Sequence, residues 1–115
     1  MSESEVLKMI ELLKKFRGDI VNIEEMRTAT LFKEANADLK NVLNLHVSDK
    51  KAFVAAEHYL KNLYTSFNYA AAIITDGLRK KKFEADKLRM LDESLEVMIE
   101  CCDRAVAVLN KRKPR

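Results

Sequence analysis

Apolar residues recur every three or four positions along most of the chain, which is the period of an amphipathic α-helix. The first stripe predicts a helix from Glu3 to Arg17, which Gly18 terminates. Its apolar members are Val6, Ile10, Leu13 and Phe16. The next stripe predicts a helix that begins after Asp19 and ends near Leu45. Its members are Thr28, Phe32, Ala35, Leu39 and Val42.

Two longer stripes follow. A third helix begins after Ser48 or Asp49, both good N-caps. Its expected core positions are Phe53, Ala56, Leu60, Leu63, Phe67, Ala71 (or Ala70), Ile74 and Leu78. A fourth helix is predicted from Glu84 to Asn110, with a seam of Leu88, Leu91, Leu95, Met98, Cys102, Ala105 and Leu109. This spacing is typical of coiled coils and antiparallel bundles. The pattern therefore predicts an all-α fold: an up-down-up-down antiparallel four-helix bundle in which helices 3 and 4 are long.

Composition narrows the fold and the function. The 115 residues include two Gly and one Pro, too few for the many turns of a β-sandwich or barrel. We expect one domain over residues 1–110 and a flexible basic tail over residues 111–115. Phosphate-binding and dinucleotide-binding loops need closely spaced glycines, whereas Gly18 and Gly77 are far apart. We expect no enzyme activity, no catalytic residue and no cofactor.

Metal and membrane functions are also not expected. Neither His46 nor His58 follows a Glu by three residues, as a di-iron bundle requires, and no second cysteine pair completes a zinc site around Cys101 and Cys102. No apolar run approaches the ~20 residues of a membrane span, and the acidic start does not resemble a signal peptide. The adjacent cysteines form no disulfide framework, so we expect a cytoplasmic protein.

The third helix carries apolar residues outside its core stripe, which leaves two alternatives open. They pack inside the same chain, or they form a second surface for a partner. The candidates for partner docking are Tyr59, Tyr69 and Ile73. The expected partner is another protein or a second copy of the chain, and no small-molecule substrate is indicated.

The predicted up-down order gathers basic residues at one pole, where helices 1 and 3 end and helix 4 begins. This basic pole comprises Lys14, Lys15, Arg17, Arg79, Lys80, Lys81 and Lys82. Such a cluster can hold several phosphates, of RNA, of DNA or of an anionic lipid surface, and does not imply direct reading of bases. The same arrangement also arises when cations stabilise helix C-termini.

One segment, residues 49–68, resembles the phosphoacceptor helix of histidine-containing phosphotransfer domains. The resemblance lies in His58, in Leu60 two residues later and in Lys61 three residues later. It implies a small helical bundle in which His58 carries a phosphoryl group beside the positive charge of Lys61. Asn62 and Asn68 stand where that family has glycines.

These observations favour a non-enzymatic protein-interaction module, such as an adaptor, a regulator or a small subunit of a larger assembly. Docking would use the faces of helices 3 and 4, and the basic pole would steer an acidic partner. Phosphotransfer through His58 and nucleic-acid binding through the basic pole are the alternatives.

Overall fold

The computed structural model describes residues 2–112, which form four α-helices and a short 3-10 helix and contain no β-strand. The bounds of the α-helices are Ser2–Met26 (α1), Ala29–Ser48 (α2), Glu57–Lys80 (α3) and Ala85–Arg112 (α4), and the 3-10 helix is Lys50–Ala56. The all-α prediction is confirmed. None of these helices is long and apolar enough to cross a membrane. Residues 113–115 of the predicted tail lie outside the described part of the chain.

The predicted boundary between helices 1 and 2 is wrong. Gly18 lies on the exposed face of a continuous α1, and the buried stripe passes it through Phe16, Ile20 and Ile23. The break falls instead at Arg27, which adopts a left-handed φ of 50°. The Thr28 hydroxyl then caps α2 by accepting a hydrogen bond from the Leu31 amide at 3.2 Å. Continuing burial of the apolar stripe therefore outweighs the low helix propensity of a single exposed glycine.

The remaining stripes are largely buried as predicted. Members of the core from the third stripe are Phe53, Ala56, Leu60, Leu63, Phe67, Ala70 and Ile74, and those from the fourth are Leu91, Leu95, Met98, Cys102, Ala105 and Leu109. Three predicted stripe members are not buried. Leu78 is 46% exposed although it is in phase with the core, Leu88 is half-buried, and Thr28 is the exposed N-cap of α2. Asp49 accepts a hydrogen bond from the Ala52 amide, so the expected cap stands before the 3-10 helix, and α3 itself begins after Ala56.

The helices contact one another unequally. α3 packs extensively on α4, α1 packs on both α2 and α4, and α2 touches α3 at few positions. Arg17 of α1 lies 2.7 Å from Asp103 of α4, and Arg27, at the end of α1, contacts Asp92. α4 is therefore the helix held between α1 and α3.

A polar cluster ties α1 to α2. Lys15 donates to both carboxylate oxygens of the buried Asp38, at 3.0 and 2.9 Å. Burial and the neighbouring Asp38 raise the pKa of Asp19 to about 7. The neighbouring Asp19 carboxyl and, after it, Lys15 lower the pKa of Asp38. The pKa values of the two carboxyl groups are thus shifted in opposite directions, so Asp19 holds a proton more readily than Asp38.

Gly18→Ala tests the continuity of α1. No atom outside the helix backbone lies within 4 Å of the position a Cβ would take, so the substitution adds helix propensity without a clash. We expect the free energy of unfolding to rise by about 0.5–1 kcal/mol. Urea denaturation measures this change. A loss of stability would instead indicate that Gly18 needs the left-handed conformation of a helix terminator.

Asp19→Asn tests the carboxyl pair. The pKa of Asp19 is higher in the folded state than in the unfolded state. The stability that Asp19 contributes is therefore fully present below its unfolded pKa of about 4, and it is lost as the pH rises through its folded pKa. Asparagine keeps a donor for Asp38 and cannot ionise. We therefore expect Asp19→Asn to be more stable than the wild type at about pH 8 and similar to it at about pH 4.

Thermal unfolding at the two pH values measures this difference. The control is Glu96→Gln, an exposed change on α4 that should leave the wild-type pH dependence intact. Equal pH dependence in Asp19→Asn and the wild type would contradict the assignment of the proton to Asp19.

Candidate functional site

An open groove runs along the outer side of the α3–α4 pair, and we call it the outer groove. Its central lining comprises Thr65, Ser66, Tyr69, Met90, Glu93, Ser94 and Val97. Tyr69 and Val97 are each 44% exposed. The Tyr69 hydroxyl donates to the sulfur of Met90 at 3.7 Å, which places these two side chains at the same level of the groove. Apolar surface on facing helices is thus left open to solvent.

The register of α4 explains this exposure. Met90 and Val97 each precede a buried seam residue, Leu91 and Met98, by one position. One position corresponds to a rotation of ~100° around a helix, which carries both side chains from the core to the edge beside α3. The two residues are seven positions apart and therefore share a face. The seam was recognised in the sequence, but this second, narrower stripe was not.

The turn that joins α3 to α4 is tightly built. Lys81 adopts a left-handed φ of 56°, and the amides of Lys81 and Lys82 donate to the carbonyls of Leu78 and Gly77 at 3.3 and 3.0 Å. The ring of Phe83 lies directly on Gly77, where an added Cβ would come within 2.1 Å of it. Glycine at position 77 thus permits this close approach, which sequence analysis had not identified.

A cavity of about 330 Å³ opens beside this turn and continues the outer groove. Its apolar lining comprises Tyr69, Ala72, Ile73, Gly77 and Phe83, and its charged lining comprises Asp76, Lys80, Lys82, Glu84 and Lys87. Asp76 is bound to Arg79 at 2.7 Å and to Lys80 at 3.4 Å, and Arg79 holds its pKa low. The cavity therefore has an apolar floor and a rim in which cations outnumber acids.

Residues 76–89, which we call the hairpin tip, concentrate positive charge. They carry six Lys or Arg against three Asp or Glu, a net charge of +3. Residues 1–75 and 90–110 carry 11 Lys or Arg against 15 Asp or Glu, a net charge of −4. Arg27 at the end of α1 contacts Asp92, seven residues into α4, so the start of α4 projects about 10 Å beyond that contact. This projection explains why Leu78 is uncovered.

The predicted basic pole does not form as one cluster, because α1 continues past Arg17. Lys14, Lys15 and Arg17 lie in the middle of α1, and the latter two are bonded to Asp38 and Asp103. Asp103 is 18 residues from the start of α4, about 27 Å along the helix. The four cations Arg79, Lys80, Lys81 and Lys82 do lie together at the hairpin tip.

The three docking candidates differ in accessibility. Tyr69 lies in the centre of the outer groove, and Tyr59 is half-buried at the far end from the hairpin tip. Ile73 is only 8% exposed and belongs to the core, so the expectation that it is exposed is wrong, although it contributes to the floor of the cavity beside the turn. Docking through Ile73 stays a prediction.

His58 is exposed on the first turn of α3, and its Nε2 lies 3.3 Å from the Asn62 amide nitrogen. Lys61 pairs with Glu57 at 3.0 Å and lowers the pKa of that carboxyl. α3 continues unbroken through Asn62 and Asn68, the two positions at which the resembling family has glycines. Phosphotransfer stays an untested prediction that this geometry does not favour.

The cysteines and histidines offer little reactive chemistry. Burial raises the pKa of the Cys101 thiol, and it raises that of Cys102 to about 12. Burial also lowers the pKa of His46, whose Nδ1 lies 2.9 Å from the Tyr64 hydroxyl. Within residues 2–112, no group of three or more His, Cys, Asp or Glu is placed to hold a metal ion.

The outer groove and the hairpin tip are adjacent surfaces of different chemistry. The groove supplies apolar contact between two helices, and the tip supplies cations. Neither feature specifies a reaction. Searches against protein-family models, curated proteins and solved structures found no match.

Proposed function

We propose that the protein is a non-enzymatic interaction module, an adaptor, regulator or small subunit, that docks a protein partner through the outer groove. The exposure of Tyr69 and Val97 on facing helices is the observation that carries this proposal. The two side chains flank a groove with a rigid floor, which suits an apolar helix face. A cytoplasmic location belongs to the same proposal.

The proposal includes an up-down-up-down antiparallel arrangement of the four helices. Contacts between α1 and α4 support it, since Arg17 meets Asp103 whereas Arg27 meets Asp92. The number of the contacting residue on α4 falls as the residue number on α1 rises. Contacts of α3 with α4 follow the same trend, because Tyr69 meets Met90 while His58 lines a hollow with Arg104.

The hairpin tip would assist docking by steering. An excess of cations at one end of a groove raises the encounter rate with a partner that carries acidic residues at the matching end, and it fixes the direction in which the partner lies. The apolar centre would supply most of the affinity, because ion pairs made by exposed Lys and Arg side chains contribute little free energy of binding.

Photo-crosslinking from the groove tests the proposal. Tyr69 is replaced by p-benzoylphenylalanine, which retains an aromatic ring, and the protein is irradiated in cells. We expect a crosslinked protein product, since the group lies at the docking surface. The matched control carries the same group at Ala37, an exposed position on α2. No product from position 69, or equal products from both positions, would contradict docking through the outer groove.

A second candidate function is binding to a nucleic-acid backbone through the hairpin tip. The separation of charge between residues 76–89 and the rest of the chain favours it. Such binding would be non-specific, because contacts to phosphates position a protein without reading sequence.

This candidate predicts retention on heparin and on RNA that falls steeply as salt rises. Reversing Lys80, Lys81 and Lys82 to Glu should abolish retention. The control reverses Lys14, Lys33 and Lys40, exposed residues away from the tip, and changes the net charge equally. Similar losses in both triple variants would assign retention to overall charge and remove the tip from consideration.

A further inference from the structure

We propose that the outer groove is covered by a second copy of this chain, related to the first by a two-fold axis that passes beside Met90. This inference rests on the proposed function, because it names the partner that occupies the same groove. The observations that carry it are the positions of opposite charges and of apolar side chains on either side of Met90.

Lys87 and Glu93 stand three residues before and three residues after Met90 on α4. Both are exposed, and both line the groove or the cavity that continues it. Among the side chains that the structure describes, neither takes part in an ion pair. A two-fold axis reverses the direction of α4 in the second copy, which brings Lys87 of each copy opposite Glu93 of the other. The contact therefore forms twice.

The apolar side chains have a matching arrangement. Met90 meets its own copy at the axis, and Tyr69 lies beside it at the same level. Phe83, in the turn before α4, lines the cavity at one end of the groove, and the exposed Val97 lines the groove towards the other end. The reversed second copy therefore brings Val97 of one copy towards the half-buried ring of Phe83 in the other. Apolar residues are thus placed opposite apolar residues, as an isologous contact requires.

Charge complementarity identifies the occupant. The groove carries cations at the hairpin tip, where Lys80, Lys82 and Lys87 line the cavity, and an unpaired carboxylate at Glu93. A wholly acidic partner would meet repulsion from Glu93, and a wholly basic partner would meet repulsion from the tip. A second copy in reversed orientation places opposite charges against both ends of the groove.

Sedimentation equilibrium of the full chain, over a range of protein concentrations, tests this inference. We expect the wild type to dimerise. Lys87→Glu and Glu93→Lys should each weaken dimerisation, by about tenfold or more, because each places two like-charged pairs across the axis. The double variant Lys87→Glu with Glu93→Lys restores opposite charges and should recover the wild-type dissociation constant.

The matched controls are Lys33→Glu and Glu34→Lys, exposed changes on α2 that should leave dimerisation unchanged. Thermal unfolding of every variant separates a loss of association from a loss of folding. The inference would be overturned if neither single substitution changed the dissociation constant of the dimer. It would also be overturned if the single substitutions weakened the dimer and the double variant did not restore it.

A strictly monomeric wild type would also overturn it, and the crosslinker at position 69 then separates the two proposals. A crosslink to a different protein would leave docking through the groove intact and reject only the second copy. With no crosslink, both proposals fail.

Discussion

The packing of α4 between α1 and α3 is the constraint on which the rest of the structure depends. One apolar seam of α4, in which Leu91, Leu95 and Met98 are fully buried, packs against both α1 and α3. Each such side chain contributes about 1.5–3 kcal/mol when it is removed from water. Fixing the rotation of α4 in this way leaves its flank beside α3 uncovered, and that flank carries Met90 and Val97. The outer groove is therefore a by-product of the core's own geometry.

Helix identity and most of the core could be predicted from the sequence, because a 3.6-residue period is a local signal. The position of the first break could not. Gly18 offered the usual terminator, but burial of Ile20 and Ile23 sustains α1. The actual break depends on Arg27 adopting a left-handed conformation, and an arginine in the sequence does not indicate that conformation.

The site was predicted less completely than the fold. Tyr69 was selected correctly as exposed, whereas Ile73, four residues later on nearly the same side of α3, is buried. The apolar period alone does not distinguish these two positions. The basic pole depended on where α1 ends, so the boundary error separated Lys14, Lys15 and Arg17 from Arg79–Lys82. Leu78 obeyed the apolar period and is exposed nonetheless, because the lengths of neighbouring helices, and not its own, determine what covers it.

The sparse contact between α2 and α3 bears on where the structure opens in thermal fluctuations. α2 is anchored to α1 by the Lys15–Asp38 bonds, and α3 is anchored to α4. Residues 2–112 thus form two pairs of packed helices, α1 with α2 and α3 with α4, which are joined by the 3-10 segment and by the α1–α4 interface. We therefore expect transient opening to separate the two pairs along the α2–α3 line. We expect amide protection to be lower on the facing sides of α2 and α3, where Phe32 stacks on Phe67 and His46 contacts Tyr64, than along α4.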